Sequence, residues 1–376
     1  MFIDLYIIQN VPPSNINRDD TGSPKVAYYG GALRSRVSSQ AWKRAMRETF
    51  PQLLDSSRLG KRTKKAVELI GKAITAKRPE YEEDAEAMAK GALAAAGFKI
   101  KESDRVGSDE GSAVTEYLIF IAAREIEALA NLAIGWKDAG VNLDKPTAAM
   151  KKAVSEVFHG VQAVDIALFG RMLADAPDLN TDASAQVAHA ISVDKVTPEY
   201  DYFTAKDDCA ADDNAGAAMI DTLGFNSSTL YRYATVNVTA LQEQLQDANG
   251  TIEGAAAFAE AFIRSMPTGK QNTFANRTLP QTCVVMLRDR QPINAVDAFE
   301  DPVGAEDGTP VSRLAAIRLA DRLNQIQTVY GDKPVQAWYV TTEHPIAELD
   351  AIAANTTLPG LQTALKTALS QALAAA

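Results

Sequence analysis

KVAYYGGALRSRVSSQAWKRAMR, residues 25–47, carries six basic residues and no acidic one, in a chain whose formal net charge is −10. A cationic block on an acidic background points to a local anionic partner, and a polyanion such as nucleic acid suits it best. The alternative is the solvated face of an ordinary amphipathic helix. The block has an order. Gly30 and Gly31 form a hinge. Arg34 and Arg36, two residues apart, point to one side of a strand. Ser38 and Ser39 are good N-cap residues for a helix that begins near Gln40 and stops near Pro51. In that helix Lys43 and Arg47 share a face, and Trp42 and Met46 share the neighbouring one. A strand edge running into a helix start gathers cations and backbone N–H groups in a small region, which suits phosphates.

Outward from the block, residues 2–9 are β-rich and alternate, which predicts a first strand. Pro12, Pro13, Gly22 and Pro24 mark residues 10–24 as a loop. From about residue 53 to 160 alanine, lysine and glutamate dominate, with apolar residues at helical spacing (Ala66, Leu69, Ile70; then Leu118, Ile121, Ala122, Ile126). This is read as a helical insertion. Val161–Phe169 is a compact apolar run, predicted as a strand ended by Gly170. Residues 194–225 are polar and without period, a functional protrusion or a disordered segment. Strands at Tyr231–Val238, Cys283–Arg288 and Val335–Thr341, and helices at 240–265 and Val311–Val329, alternate before an alanine-rich C-terminal helix. Without the insertion the pattern is that of an α+β fold with a ferredoxin-like or RRM-like core, which often presents its sheet to RNA.

Other classes are disfavoured. A composition of 46% hydrophobic and 23% charged residues is that of a globular protein. The longest apolar runs fall short of a membrane span, and the first residues lack the basic start of a signal peptide. Cys209 and Cys283 lie far apart, which fits reduced thiols and a cytoplasmic location. His159, His189 and His344 are scattered without metal-ligand spacing, so no metal or cofactor is expected, and His189 beside an apolar run reads as a satisfied core residue. The sequence has no GxxxxGK[ST], GxGxxG or GxSxG motif.

An ordered set of segments carries a family resemblance: NRDD at 17–20, YYGGALRSRVSSQAWKRAMR at 28–47, VDIALFGRM at 164–172, AHAIS at 188–192 with Tyr202 and Phe203, YRYATVNV at 231–238 and MPTGKQNTFA at 266–275. Together they resemble the backbone subunit of the type I-E CRISPR Cascade complex, the CasC family of RAMP-type proteins. The likeness is weakest in the helical insertion and beyond about residue 300. It implies an RRM-like palm (1–52, 161–193 and 227–344), a helical finger insertion (53–160), a protruding thumb hairpin (194–226) and a C-terminal helix (345–376). It also implies polymerisation of several copies along one CRISPR guide RNA, with other Cascade subunits as partners. Target DNA is reached through the guide, because base pairing reads the sequence while protein holds the backbone.

By the same resemblance Arg18, Lys25, Lys43 and Arg47 match positions that touch the guide backbone, with Ser39 and Gln40 as polar neighbours. Arg34 and Arg36 join them from the basic block. Arg171 and Met172 follow Gly170, where a backbone can approach a ligand closely. Met172 matches a residue that wedges against a displaced nucleotide; without the resemblance it reads as a core-packing methionine. Lys270, Gln271 and Asn272 lie in a polar loop, 266–281, placed near the RNA by the family and otherwise simply exposed. Tyr202 and Phe203 belong to the thumb. That thumb is acidic, with eight acidic residues against two lysines over 194–225. Either its aromatics make the contact while the carboxylates face solvent, or the acids meet a neighbouring subunit's basic block.

The expected activity is a non-catalytic scaffold. The rival reading is a RAMP-type target-RNA endonuclease using Asp19 or Asp20, since related backbone proteins cut RNA with an aspartate in a comparable loop. No His, Lys or second carboxylate cluster nearby completes an acid–base pair, which assigns these aspartates to loop capping or to Arg18. A CRISPR-RNA-processing nuclease is a third reading, but the loop at Gly269 has no histidine.

Overall fold

The computed structural model describes residues 1–103, 111–205 and 219–375. They form an α+β protein of two compact units, the first comprising Met1–Thr49, Gln186–Val238 and Ala255–Ala376, the second Phe50–Ala185 and Thr239–Gly254. The helical unit is therefore larger than the 53–160 insertion expected from composition: it takes in 161–185 and a later segment as well.

The first unit is built on a large sheet. From one edge the strands run Ala354–Asn355, Gln336–Thr341, Thr282–Arg288, β1 (Phe2–Ser14), Met219–Asn237, Ala190–Ser192, β3 (Ala32–Val37) and β2 (Val26–Tyr29). β1 outruns the loop expected after residue 9 despite Pro12 and Pro13. Its pairing with Thr282–Arg288 stops at Ile8, and its register with Met219–Asn237 shifts between Val11 and Ser14, so the prolines fall where the ladder asks for no donor. On one face of the sheet Tyr6, Ile8, Tyr231, Tyr233, Val284 and Met286 pack with Ala315, Leu319 and Leu323 of helix Val311–Tyr330. On the other, Arg232 stacks on Trp42 of α1 (Ser39–Thr49) and on Phe262. Residues 3–9 of β1 are buried throughout. At this central strand the sheet is therefore covered on both faces.

The second unit packs helices Ala66–Lys77, Ala85–Ala95, Ala123–Asp138 and Ala148–His159 around Ile70, Ile74, Met88, Leu93, Leu129, Val154 and Phe158. Alanines keep these helices close: a Cβ on Gly71 would lie 3.7 Å from the Ala85 carbonyl. Two short strand pairs interrupt the helices, Gly60–Thr63 with Ile119–Ala122 and Ile100–Glu102 with Ala113–Thr115. Ile121 and Ala122, read above at helical spacing, therefore belong to a strand. Conversely, the strand expected at Val161–Phe169 is a short helix, Val164–Phe169, with every residue buried. A run apolar on all sides shows no period, so strand and helix read alike.

Candidate nucleic-acid interface

Four segments of the first unit meet at the start of α1. The loop after β1 is shaped by Asp19, whose Oδ1 accepts from Thr21 N at 2.9 Å, Thr21 Oγ1 at 2.7 Å and Ser23 N at 3.0 Å. These bonds, the Thr21 hydroxyl foremost, hold the carboxyl below the usual range, so Asp19 caps the loop as its residue type suggested. Asn15 clips the loop to the Gly22 and Gly224 carbonyls, both at 2.9 Å. Asn17 joins it to the helix: its Oδ1 accepts from Ser38 N at 2.8 Å, and its carbonyl accepts from Lys25 N at 2.9 Å. Ser38 is the N-cap, its Oγ 3.4 Å from Ala41 N. The turn before Gln271–Phe274 closes on the same loop, where a Cβ on Gly269 would fall 2.3 Å from the Ile16 carbonyl, a contact only glycine permits.

This arrangement gathers Arg18, Lys25, Ser39, Gln40, Lys270, Gln271 and Asn272 around Ile16 and Asn17. Arg18, Gln40 and Asn272 are exposed; the others are half-buried. Lys43 and Arg47 follow along α1, both half-buried, while the exposed Arg44 is tied to Glu48 at 2.8 Å. Residues 266–281 are less open than expected, because Gln271–Phe274 forms a helical turn with Phe274 against Phe225.

α1 is fixed by a residue the sequence did not single out. Arg232 is fully buried, its guanidinium 3.7 Å from the centre of the Trp42 ring and 4.6 Å from that of Phe262. It donates to Gln9 Oε1 at 2.6 Å and to the Phe262 carbonyl. Burial pulls its pKa down to about 9. The sequence signal for this cage is Trp42, which shares an apolar face of α1 with Met46.

Arg34 does not belong to the interface. It is 0% exposed and donates to five carbonyls: Tyr29 at 3.3 Å, Ser192 at 3.0 Å, Val193 at 2.7 Å, Phe299 at 2.9 Å and Glu300 at 3.0 Å. The neighbouring turn explains the geometry. Gly30 and Gly31 both take positive φ, and a Cβ on Gly30 would collide with the Glu300 carbonyl, so the β2–β3 turn lies flat on that backbone. Arg36, on the same side of β3, is only half-buried, and its guanidinium bonds the Val26 carbonyl at 3.3 Å and His189 Nδ1 at 3.2 Å. His189 is exposed, not the satisfied core residue expected of it.

Arg171, in the second unit, is also corrected. Its side chain is buried, paired with Glu125 at 2.7 Å and bonded to the Phe158 carbonyl at 3.0 Å. Gly170 (φ +75°) admits no ligand; it admits the Thr181 backbone, 2.9 Å from where a Cβ would stand. Burial raises the Glu125 carboxyl even beside this arginine. Met172, one residue on, is 82% exposed, so it is not core.

The strand Glu199–Ala205 pairs with Met219–Asn237 as the two sides of a hairpin arm; residues 206–218, the middle of the segment expected at 194–226, lie outside the described residues. The register is Glu199 with Phe225, Tyr200 with Gly224, Asp201 with Leu223, Tyr202 with Thr222 and Phe203 with Asp221. Side chains alternate, so Tyr200, Tyr202, Thr222 and Gly224 share one face and Glu199, Asp201, Phe203 and Asp221 share the other. Tyr200 and Tyr202 are 67% and 64% exposed.

Among the described residues no cluster of three His, Cys, Asp or Glu could hold a metal, and no helix is long and apolar enough to cross a membrane.

A family model described as "CT1975-like protein" matches residues 3–364. A search of curated proteins finds no match. Among solved structures, a chain of a "CRISPR RNA-guided surveillance complex, pre-nicking" is 32% identical with a TM-score of 0.84, covering 98% of this chain and 100% of that one. A chain of a "CRISPR RNA-guided surveillance complex" is 28% identical with a TM-score of 0.63, covering 98% and 99%.

Proposed function

This chain belongs to the CT1975-like family, the CasC-type backbone subunits of CRISPR Cascade, and from that premise we propose that it is a non-catalytic scaffold that binds guide RNA. Copies polymerise along the guide and present it for pairing with target DNA, beside other Cascade subunits. On this reading the first unit, with its large sheet, is the RRM-like palm, the helical unit is the finger, and the hairpin arm is the thumb.

The observation that carries the reading is the convergence of the Arg18–Lys25 loop, the start of α1 and the Lys270–Asn272 turn around Asn17. A cationic loop, a capped helix start and polar turn residues on one surface grip a phosphodiester backbone by charge and N–H donors, with no base readout. The thumb adds stacking through Tyr202 and its partner Tyr200, with Phe203 on the opposite face. Met172 is the candidate wedge at a displaced nucleotide. Asp19 is engaged in shaping its loop, which favours the scaffold over cleavage.

The test is the salt dependence of binding to single-stranded RNA. Replacing Lys43 and Arg47 together with alanine removes two phosphate contacts. The slope of log affinity against log salt should flatten by about 1.4, roughly 0.7 for each contact on a single strand. The loss should be the same for unrelated RNA sequences. A double variant with the wild-type slope would remove the helix face from the interface.

A further inference from the structure

Arg36, Lys25 and His189 form a cluster that the reading above does not use as a unit. Lys25 stands across from Arg36 in the β2–β3 ribbon, with Arg36 N bonded to the Lys25 carbonyl at 2.9 Å. Arg36 pairs with Ile191 and Val37 with Ala190. The ladder ends there, and the next residues along the two segments are Ser38, the N-cap of α1, and His189, which Arg36 reaches at 3.2 Å. All three side chains thus meet at the strand-to-helix corner. Ile191 pairs with Tyr231, whose ring lies on the sheet face opposite the Arg232–Trp42 cage. The cluster therefore occupies the other face from α1 and takes a different phosphate from Lys43.

The hydrogen bond at 3.2 Å between Arg36 and His189 Nδ1 defines the chemistry. A guanidinium can only donate, so Nδ1 accepts, and the neutral ring carries its proton on Nε2. The charged groups acting on the ring are Arg36 on β3 and Lys25 before β2, and no carboxylate among the described residues opposes them; desolvation and these two cations hold the imidazole below its usual pKa. An anion at the corner changes all of this. It draws the Arg36 guanidinium away from Nδ1, screens both cations, and accepts from the imidazolium.

We infer that Lys25, Arg36 and His189 together bind one phosphodiester of the guide, and that His189 takes up one proton from solvent when they do. The inference rests on the RNA-binding reading above and adds a residue and a proton to it. The balance is simple: the neutral ring gains a proton at Nδ1, no bond to carbon or phosphorus changes, and the new positive charge lies against the phosphate.

The consequence is RNA affinity that rises as pH falls through the histidine range. Each pKa unit by which RNA raises His189 adds a factor of about ten to affinity at low pH, relative to high pH. The experiment uses the full chain and a fluorescent oligouridylate. Binding is measured at about pH 6 and about pH 8, with calorimetry in two buffers of different ionisation enthalpy to count protons. His189→Gln keeps a neutral side-chain donor but cannot take up a proton, so the rise in affinity from the higher to the lower pH and the proton uptake should both be lost. Because the ring is exposed, the variant is expected to fold. A readout on wild type stands beside it: the imidazole Hε1 resonances, one from each of the three histidines of this chain, followed against pH with and without RNA. His189 alone should move to a higher midpoint with RNA. A His189→Gln variant with undiminished pH dependence, or an unmoved midpoint with RNA bound, would overturn the inference and leave the RNA-binding reading intact. Failure of wild type to bind RNA at any pH would remove both.

Discussion

Arg34→Ala should unfold the first unit early without touching RNA affinity per folded molecule. The arginine is buried and donates to five backbone carbonyls, four of them at 2.7–3.0 Å. Those carbonyls come from both sides of the corner, Ser192 and Val193 on one hand and Phe299 and Glu300 on the other. Alanine leaves them facing a hole. Hydrogen bonds to a charged group contribute about 1.5–3 kcal/mol each, but they are not additive and water enters the vacated space. A net loss of about 3–5 kcal/mol is therefore expected, a large share of the roughly 5–15 kcal/mol that holds a folded protein together. Urea unfolding followed by tryptophan fluorescence would read it, since Trp42 and Trp338 both lie in this unit. Arg34→Lys should fall between, keeping a charge but not the planar fork that reaches both segments. The salt slope of RNA binding, measured where the variant is still folded, should equal wild type. A variant of wild-type stability with a flattened slope would mean that the Arg34 guanidinium reaches RNA, and the burial argument would be refuted.

Two further outcomes follow from the same region. Burial pushes the Asp194 carboxyl up to about 6 from an ordinary 3.8, so the native state holds a proton that the unfolded chain has lost, and stability falls as pH rises from about 4 to about 6. Asp194→Asn keeps an oxygen for Thr229 N and should stabilise at neutral pH by about 1–2 kcal/mol, discounted from about 3 because the side chain is only partly buried, with no gain below about pH 4; equal midpoints in urea at neutral pH would contradict this. RNA-loaded protein incubated with complementary RNA and magnesium or manganese should leave that RNA whole, because Asp19 is engaged in its loop; regularly spaced products lost on Asp20→Ala would establish cleavage instead.

The block at 25–47 was legible because its signals are local. A glycine pair, an alternating arginine pair and a serine cap each specify backbone geometry within a few residues, and the turn, strand and helix stand where those signals put them. Which arginine faces solvent was not legible. Arg34 and Arg36 share a face of β3, and what separates them is a carbonyl cluster at Phe299 and Glu300, far away in sequence. Arg171 shows the same limit. Its neighbour Gly170 signals a close approach, but sequence does not say whether the approaching group is a ligand or, as here, Thr181. His189 was not legible either: it lies in the two-residue gap between the strands Ala185–Val187 and Ala190–Ser192, where the ring is exposed despite its apolar neighbours.

The acidity of the arm, unresolved in the sequence, becomes intelligible from the ladder. Glu199, Asp201 and Asp221 fall on one face, and Tyr200 and Tyr202 fall on the other. Tyr200 rests across the strand over Gly224, where a Cβ would meet Pro24 Cδ at 3.3 Å and the Tyr200 ring at an ordinary 3.5 Å. A ribbon of this kind can lay an uncharged aromatic face against nucleobases and keep its carboxylates on the far side, where repulsion from phosphate is screened over a Debye length of about 8 Å. The two explanations of the acidic arm are therefore not exclusive. The tyrosine face suits a base stack, and the carboxylate face is left to solvent or to cations of another subunit. Phe203, on the carboxylate face, is separated from Tyr202 by the pleat, so the two aromatics that look like a pair in the sequence cannot stack on the same base from one side. The pair that can is Tyr200 with Tyr202, two residues apart on one face.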